Sequence, residues 1–208
     1  MKKLVFAVLC LFATATMWAD SPLTSTRFWQ IYNFSCDKIT FPLYQSFDKY
    51  GWSPEVMDEL TSPENNIEQR LCLVNLVGWN INGQSHYDNL VTYYMARNNL
   101  TNRKAAFREM DADMLTVFAY VKALDNYFDV TDARRLSREA VARAPQSRAA
   151  AMIDALIAAQ IAMDSDWAEV YEVCQRVVEN KSLNSDFCDA AVYAIMEYIG
   201  LYKEYTTP

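Results

Sequence analysis

Glycine is scarce in this sequence, with four among 208 residues, and proline is nearly as scarce, with six. β-Sandwiches and β-barrels turn the chain many times and use glycine at those turns, so this scarcity argues against an all-β fold. Hydrophobic residues make up 52% of the chain and charged residues 22%, a balance that argues against disorder. The composition therefore favours a folded, helical protein.

Metal-binding and catalytic residue patterns are also missing. The sequence contains one histidine, His86, and no pair of cysteines spaced C-x-x-C, so a histidine-built metal site, structural zinc and thiol redox chemistry have little support. Ser85 follows Gly83 by two positions, but the following residues do not complete the G-x-S-x-G turn of a serine hydrolase. The sequence predicts no catalytic residue, no metal site and no cofactor.

Acidic side chains outnumber basic ones by 26 to 19, which gives a formal net charge of −7. Such a protein repels phosphate backbones, so we expect no nucleic-acid partner. The basic residues concentrate in the middle of the chain: Arg103, Lys104, Arg108, Arg134, Arg135, Arg138, Arg143 and Arg148. Among them Arg134, Arg135 and Arg138 are candidate binding residues for carboxylates or phosphates of a partner. The alternative is a solvated helix face that pairs with Asp132 and Glu139.

The first residues have the pattern of a secretory signal peptide. Met1-Lys2-Lys3 precedes the uncharged run 4–18, and the small residue Ala19 precedes Asp20. The run of about 15 residues is short for a membrane core of about 30 Å, and no later apolar stretch is long enough to span. We therefore expect a signal peptide over 1–19, cleavage after Ala19 and a periplasmic or secreted chain without stable membrane insertion. The alternatives are cleavage after Ala15 and a retained membrane anchor. Cleavage removes two lysines and no acid, which makes the mature net charge −9.

Four cysteines remain after the predicted cleavage, and an even number in an oxidising compartment allows two disulfides. Cys174 and Cys188 lie on either side of a predicted turn near Lys181, so a helical hairpin would bring them together. Cys36 and Cys72 would then join the amino-terminal helices. The alternative is that all four are buried thiols.

Capping residues and helical periodicity recur along the chain. Ser53-Pro54-Glu55 and Ser62-Pro63-Glu64 each predict a helix start. Further helices are expected over about 85–98, 104–126, 131–143, 147–163, 165–180 and 185–203. The predicted fold is all-α, either an α-solenoid or an irregular bundle of about 8–9 antiparallel helices. The polar run 98–102 suggests an amino-terminal lobe over 20–99 and a second lobe over 100–208, with one continuous domain over 20–208 as the alternative.

Residues 114–147 have the length of a tetratricopeptide unit. Ala133, Ala140 and Pro145 fall at the spacing which that family uses for its close helix crossing and terminal proline. This window resembles the tetratricopeptide family, and the next predicted pair, over about 148–180, has similar helix lengths. Val121 departs from the family pattern, because a small residue is usual there. The resemblance implies stacked helical hairpins, which commonly bind peptides or proteins on a concave face.

Aromatic residues crowd the segment 28–52. Trp29, Tyr32, Tyr44 and Trp52 are candidate groove residues, since flat rings stack on sugar rings or on apolar faces of a peptide. The more common role of such a cluster is to form the core.

Together these features predict an exported, non-enzymatic helical binding protein whose partner is a peptide or another protein. One alternative is a periplasmic inhibitor or immunity-type protein, since an acidic surface suits a basic target. A second alternative is an all-helical cell-wall hydrolase, which would need an acid in an apolar cleft.

Overall fold

The computed structural model describes residues 21–30, 52–78 and 85–206. Every regular element in these ranges is helical, which confirms the predicted all-α class and the number of helices. No helix in the same ranges is long and apolar enough to cross a membrane. The predicted signal peptide over 1–19, and with it Cys36, Tyr32 and Tyr44, lie outside the described residues.

Nine α-helices and one carboxy-terminal 3₁₀ helix follow one another in the described part of the chain. They are α1 (Pro54–Thr61), α2 (Ile67–Val77), α3 (His86–Arg97), α4 (Arg103–Glu109), α5 (Ala112–Asp125), α6 (Thr131–Arg143), α7 (Arg148–Ala162), α8 (Trp167–Glu179), α9 (Asp189–Ile199) and the 3₁₀ helix Gly200–Thr206.

Side-chain caps explain where several helices begin. The Ser53 side chain accepts a hydrogen bond from the Val56 N–H at the start of α1. Pro54 follows in the first turn, where its missing N–H costs no helical hydrogen bond. The predicted start at Ser62-Pro63 is wrong, because α2 begins later, where the Asn66 side chain accepts from the Gln69 N–H.

The continuous helix predicted from Lys104 to Asn126 is broken into α4 and α5. Met110 adopts an extended backbone after α4. The Asp111 carboxylate then accepts from the Met114 N–H at 2.7 Å and caps the start of α5. An acidic cap satisfies free N–H groups and complements the positive end of the helix dipole. The break allows α4 to lie apart from α5 and to form one wall of a cleft.

Helix α5 is the centre of the molecule. Its residues are buried on nearly all sides, including Phe118 and Tyr120, which are fully buried. It packs on α6 and α7, while α2 and α3 pack on its other sides. Ala133 and Ala140 face inward from α6, as predicted, and their small side chains allow α6 and α5 to approach closely. These contacts fit both predicted architectures, a solenoid and an irregular bundle.

The segment 21–30 belongs to the same core. Phe28 is fully buried, with its ring 6.2 Å from the Tyr120 ring and 5.4 Å from the Phe187 ring. The Trp29 N–H donates to Asn75 Oδ1 at 3.1 Å, and the Trp29 side chain is half-buried against the core. Trp52 is also half-buried. Its ring stacks on His86 with the centroids 4.4 Å apart. Of the predicted groove aromatics, these two described members pack against the protein itself.

The predicted disulfide between Cys174 and Cys188 is not formed. Cys174 is a free thiol that is fully buried in α8, and burial raises its pKa to about 12. Cys188 precedes α9, and its Sγ accepts a hydrogen bond from the Ala191 N–H as an N-cap. The disulfide is absent because an irregular segment follows α8 and α9 begins only at Asp189. Cys188 therefore lies at the amino-terminal end of α9 and does not face the middle of α8.

A buried carboxylate gives a pH-dependent prediction. Glu68 is 8% exposed and accepts a hydrogen bond from the Cys188 N–H. Burial raises the pKa of Glu68 above its ordinary 4.5, although the hydrogen bonds from Cys188 oppose this. The folded protein therefore holds this proton more tightly than the unfolded chain does.

Replacing Glu68 by glutamine keeps the acceptor oxygen and removes the titration. We expect wild type to lose stability relative to Glu68→Gln as the pH rises from below 4.5 through the raised pKa of Glu68. Urea unfolding of both proteins across this range measures the difference. A wild type that gains stability relative to the variant as the pH rises would contradict the direction of the shift.

Candidate anion-binding cleft

A cleft of about 580 Å³, called here the basic cleft, lies between α3, α4, α5 and α6. Its volume falls in the range of about 300–1,000 Å³ that is common for ligand sites. Twelve residues line it: Tyr87, Arg103, Lys104, Phe107, Arg108, Leu115, Lys122, Asp132, Arg135, Leu136, Glu139 and Arg143. Six of these are cationic and two are acidic, so the cleft has a surplus of four positive charges in a chain of net charge −7.

Helical spacing places the charged residues on the walls. On α4 the residues Arg103, Lys104, Phe107 and Arg108 share one side, while Ala106 is buried. On α6 the lining residues Asp132, Arg135, Leu136, Glu139 and Arg143 recur at helical spacing, and the opposite face of α6 enters the core. The amphipathic pattern of each helix therefore directs its cations toward the same space.

The floor of the basic cleft is aromatic. Phe118, fully buried in α5, lies edge-on to the rings of Tyr87 and Phe107, with centroids 6.1 and 6.0 Å away. The Arg103 guanidinium carbon is 5.3 Å from the Tyr87 ring centroid, and Lys122 Nζ is 4.8 Å from it. Both distances allow cation–π attraction. Burial raises the pKa of Tyr87, and the hydrogen bond to Arg103 opposes this only in part, so the phenol stays neutral.

The start of α3, which carries Tyr87, is fixed by a carboxylate on α5. Asp125 Oδ2 accepts from the Tyr87 N–H at 2.7 Å, and Asp125 Oδ1 lies 3.3 Å from His86 Nδ1. The Trp52 ring covers His86. These contacts hold Tyr87 in place at the cleft floor.

Arg143 and Arg103 have structural partners. Arg143 donates to Glu139 at 2.9 Å and to the backbone carbonyls of Arg108 and Met110, so it ties α6 to the end of α4. A cation is favourable there because the carboxyl end of a helix carries partial negative charge. Arg103 pairs with Asp88 at 2.9 Å. These two arginines are therefore already engaged in the protein.

The remaining cations are available to a ligand. Lys104, Arg108 and Lys122 form no ion pair with any carboxylate in the described ranges. Arg135 pairs with Asp132 at 3.2 Å, but the side chains are 79% and 65% exposed. Exposed pairs of this kind contribute only about 0–1 kcal/mol. The arrangement suits an anion that also carries an apolar group for the floor.

The three candidate arginines of α6 have different surroundings. Arg135 lines the basic cleft, as the binding hypothesis requires. Arg134 points toward α7 instead, where Asp154 accepts from it and, at 2.5 Å, from the Ser137 hydroxyl. Asp154, which lies in the largely apolar helix α7, thus pairs with an arginine from the basic middle of the chain. Arg138 is exposed and lines an open groove that adjoins the basic cleft.

The sequence alone did not indicate Lys122, Tyr87 and Leu115 as cleft residues. They lie on α3 and α5, and Tyr87 and Leu115 have the apolar spacing of core positions. Only the three-dimensional arrangement brings them beside the α4 and α6 cations. The described ranges contain no group of three or more His, Cys, Asp or Glu residues placed to hold a metal ion.

No family model matches the chain, and no curated protein or solved structure matches it either.

Proposed function

We propose that this chain is an exported, non-enzymatic binding protein that holds an acidic segment of a peptide or protein in the basic cleft. The observation that carries the proposal is the surplus of positive charge around an aromatic floor in an otherwise acidic chain. Export rests on the signal-peptide pattern of residues 1–19. The tetratricopeptide resemblance of residues 114–147 is in keeping with peptide binding.

Electrostatics favours a small acidic segment over a nucleic acid. The net charge of −7 opposes the approach of a long phosphate backbone, whereas a short anion reaches the cleft and meets the local positive field. Charge-assisted hydrogen bonds from lysine and arginine to carboxylates are among the stronger polar contacts. Phe107, Leu115 and Leu136 offer apolar surface to a neighbouring side chain. A glutamate-rich segment with one aliphatic residue satisfies both requirements.

The test is the affinity of a fluorescent tetrapeptide, acetylated and amidated, that contains three glutamates and one leucine. We expect the double variant Lys104→Gln/Arg108→Gln to bind it at least about tenfold more weakly, because two unpaired cations are lost. Both residues are exposed, so the fold should persist. Fluorescence anisotropy at low and high salt measures the affinity, and salt should weaken binding to wild type.

A matched control comes from the carboxy-terminal 3₁₀ helix. Lys203 is exposed and far along the chain from the cleft residues, so Lys203→Gln removes a positive charge outside the cleft lining. This variant should bind the peptide as wild type does. Equal affinities of wild type and the double variant would contradict the proposed function.

A further inference from the structure

A second depression adjoins the basic cleft on α6. It is an open groove of about 520 Å³, lined by Thr131, Arg134, Arg135, Arg138, Glu139 and Ala142, and is called here the arginine groove. Arg135 and Glu139 line both the basic cleft and the arginine groove. The two depressions therefore meet along one edge of α6.

The positive surplus of the basic cleft continues into the arginine groove. Arg138 is exposed and has no ion pair with a carboxylate in the ranges that the structure describes. Glu139 is the acidic residue of the groove, and its carboxylate pairs with Arg143 Nε at 2.9 Å. Arg135, at the shared edge, pairs with the exposed Asp132. A ligand that leaves the cleft over Arg135 thus meets further unpaired positive charge.

We infer that the occupant is an extended acidic peptide segment that begins in the basic cleft, crosses α6 at Arg135 and continues along the arginine groove to Arg138. The inference rests on the proposed function and names the form of its ligand. A compact anion would use the cleft alone. The width of α6 with its side chains is about 10–12 Å, and an extended chain covers about 3.3–3.6 Å per residue. About three residues of the peptide therefore span α6.

Three synthetic peptides, all acetylated and amidated, test the inference. The short one is the glutamate–leucine tetrapeptide. The long peptide extends the short one by a serine–glycine–serine spacer and two glutamates. The third peptide has the length of the long one, with glutamine in place of the two added glutamates. We expect wild type to bind the long peptide about three- to fivefold more tightly than the other two, the gain of one or two exposed ion pairs.

The variant Arg138→Gln separates the groove from the cleft. It should remove the advantage of the long peptide while the short peptide binds as before. Lys203→Gln should leave that advantage intact, because Lys203 lies outside both depressions.

The possible results separate this inference from the proposed function. If wild type binds the short and long peptides equally, or if Arg138→Gln weakens both alike, the crossing is contradicted while cleft binding stands. If none of the peptides binds wild type, both the crossing and the proposed function are overturned. A long-peptide advantage that Arg138→Gln abolishes supports the crossing.

Discussion

Asp154→Ala is expected to lower the free energy of unfolding by about 3 kcal/mol, which is large against the whole stability of a domain. The Asp154 carboxylate accepts from Arg134 and from Ser137 between α6 and α7. Its side chain is 19% exposed and that of Arg134 is 27% exposed, while Ser137 is fully buried. Removing the carboxylate leaves the largely buried Arg134 guanidinium without its counter-charge. The guanidinium and the Ser137 hydroxyl then keep only backbone carbonyl acceptors, those of Asp154 and Arg134. Urea unfolding measures the loss.

Removing both charges should restore most of that stability. In Arg134→Met/Asp154→Leu no uncompensated charge remains, and apolar side chains of similar size pack in the same place. We expect this double variant to lie within about 1.5 kcal/mol of wild type. An Asp154→Ala protein as stable as wild type would show that the pair does not hold α6 and α7 together.

Phe118→Ala should affect both the fold and the basic cleft. Phe118 is fully buried, and the rings of Tyr87, Tyr94 and Phe107 all meet it edge-on. Truncating a buried phenylalanine costs about 3–5 kcal/mol, through lost burial and the cavity left behind. Because two of these rings form the cleft floor, the folded variant should also bind the acidic tetrapeptide less tightly.

Phe187→Ala is the matched control for this effect. Phe187 is also fully buried, but it packs against Phe28 and lies outside the cleft lining. It should lose comparable stability in thermal unfolding and keep wild-type affinity in its folded fraction. If both variants keep full affinity, the aromatic floor is not part of the binding surface.

The sequence predicted the class of fold because local signals agree with the tertiary contacts. Capping residues such as Ser53, Ser147 and Asp166 mark true helix starts. Helix α7 is buried on most sides, in keeping with its nearly continuous apolar sequence. The concentration of arginines near α6 also indicated where positive charge would gather.

The cleft itself could not be read from the sequence, for two physical reasons. Asp111 looks like an ordinary acid inside a long amphipathic run, yet its carboxylate caps α5 and so separates α4 from it. Lys122 and Tyr87 reach the site only because α3 and α5 pack side by side. The wrong prediction of a Cys174–Cys188 disulfide has a similar cause, because the start of α9 at Asp189 depends on the irregular segment before it.

The most direct test of the central claim is to map where the acidic tetrapeptide binds, by ¹⁵N chemical-shift perturbation on the intact protein. The largest shifts are expected on α4 (Arg103–Glu109), on Lys122 and on the 132–143 face of α6. The exposed aromatic surface of Trp167 and Tyr205, where the rings lie 4.9 Å apart, should be unaffected. Shifts that concentrate at Trp167 and Tyr205 and leave α4 unchanged would contradict binding in the basic cleft.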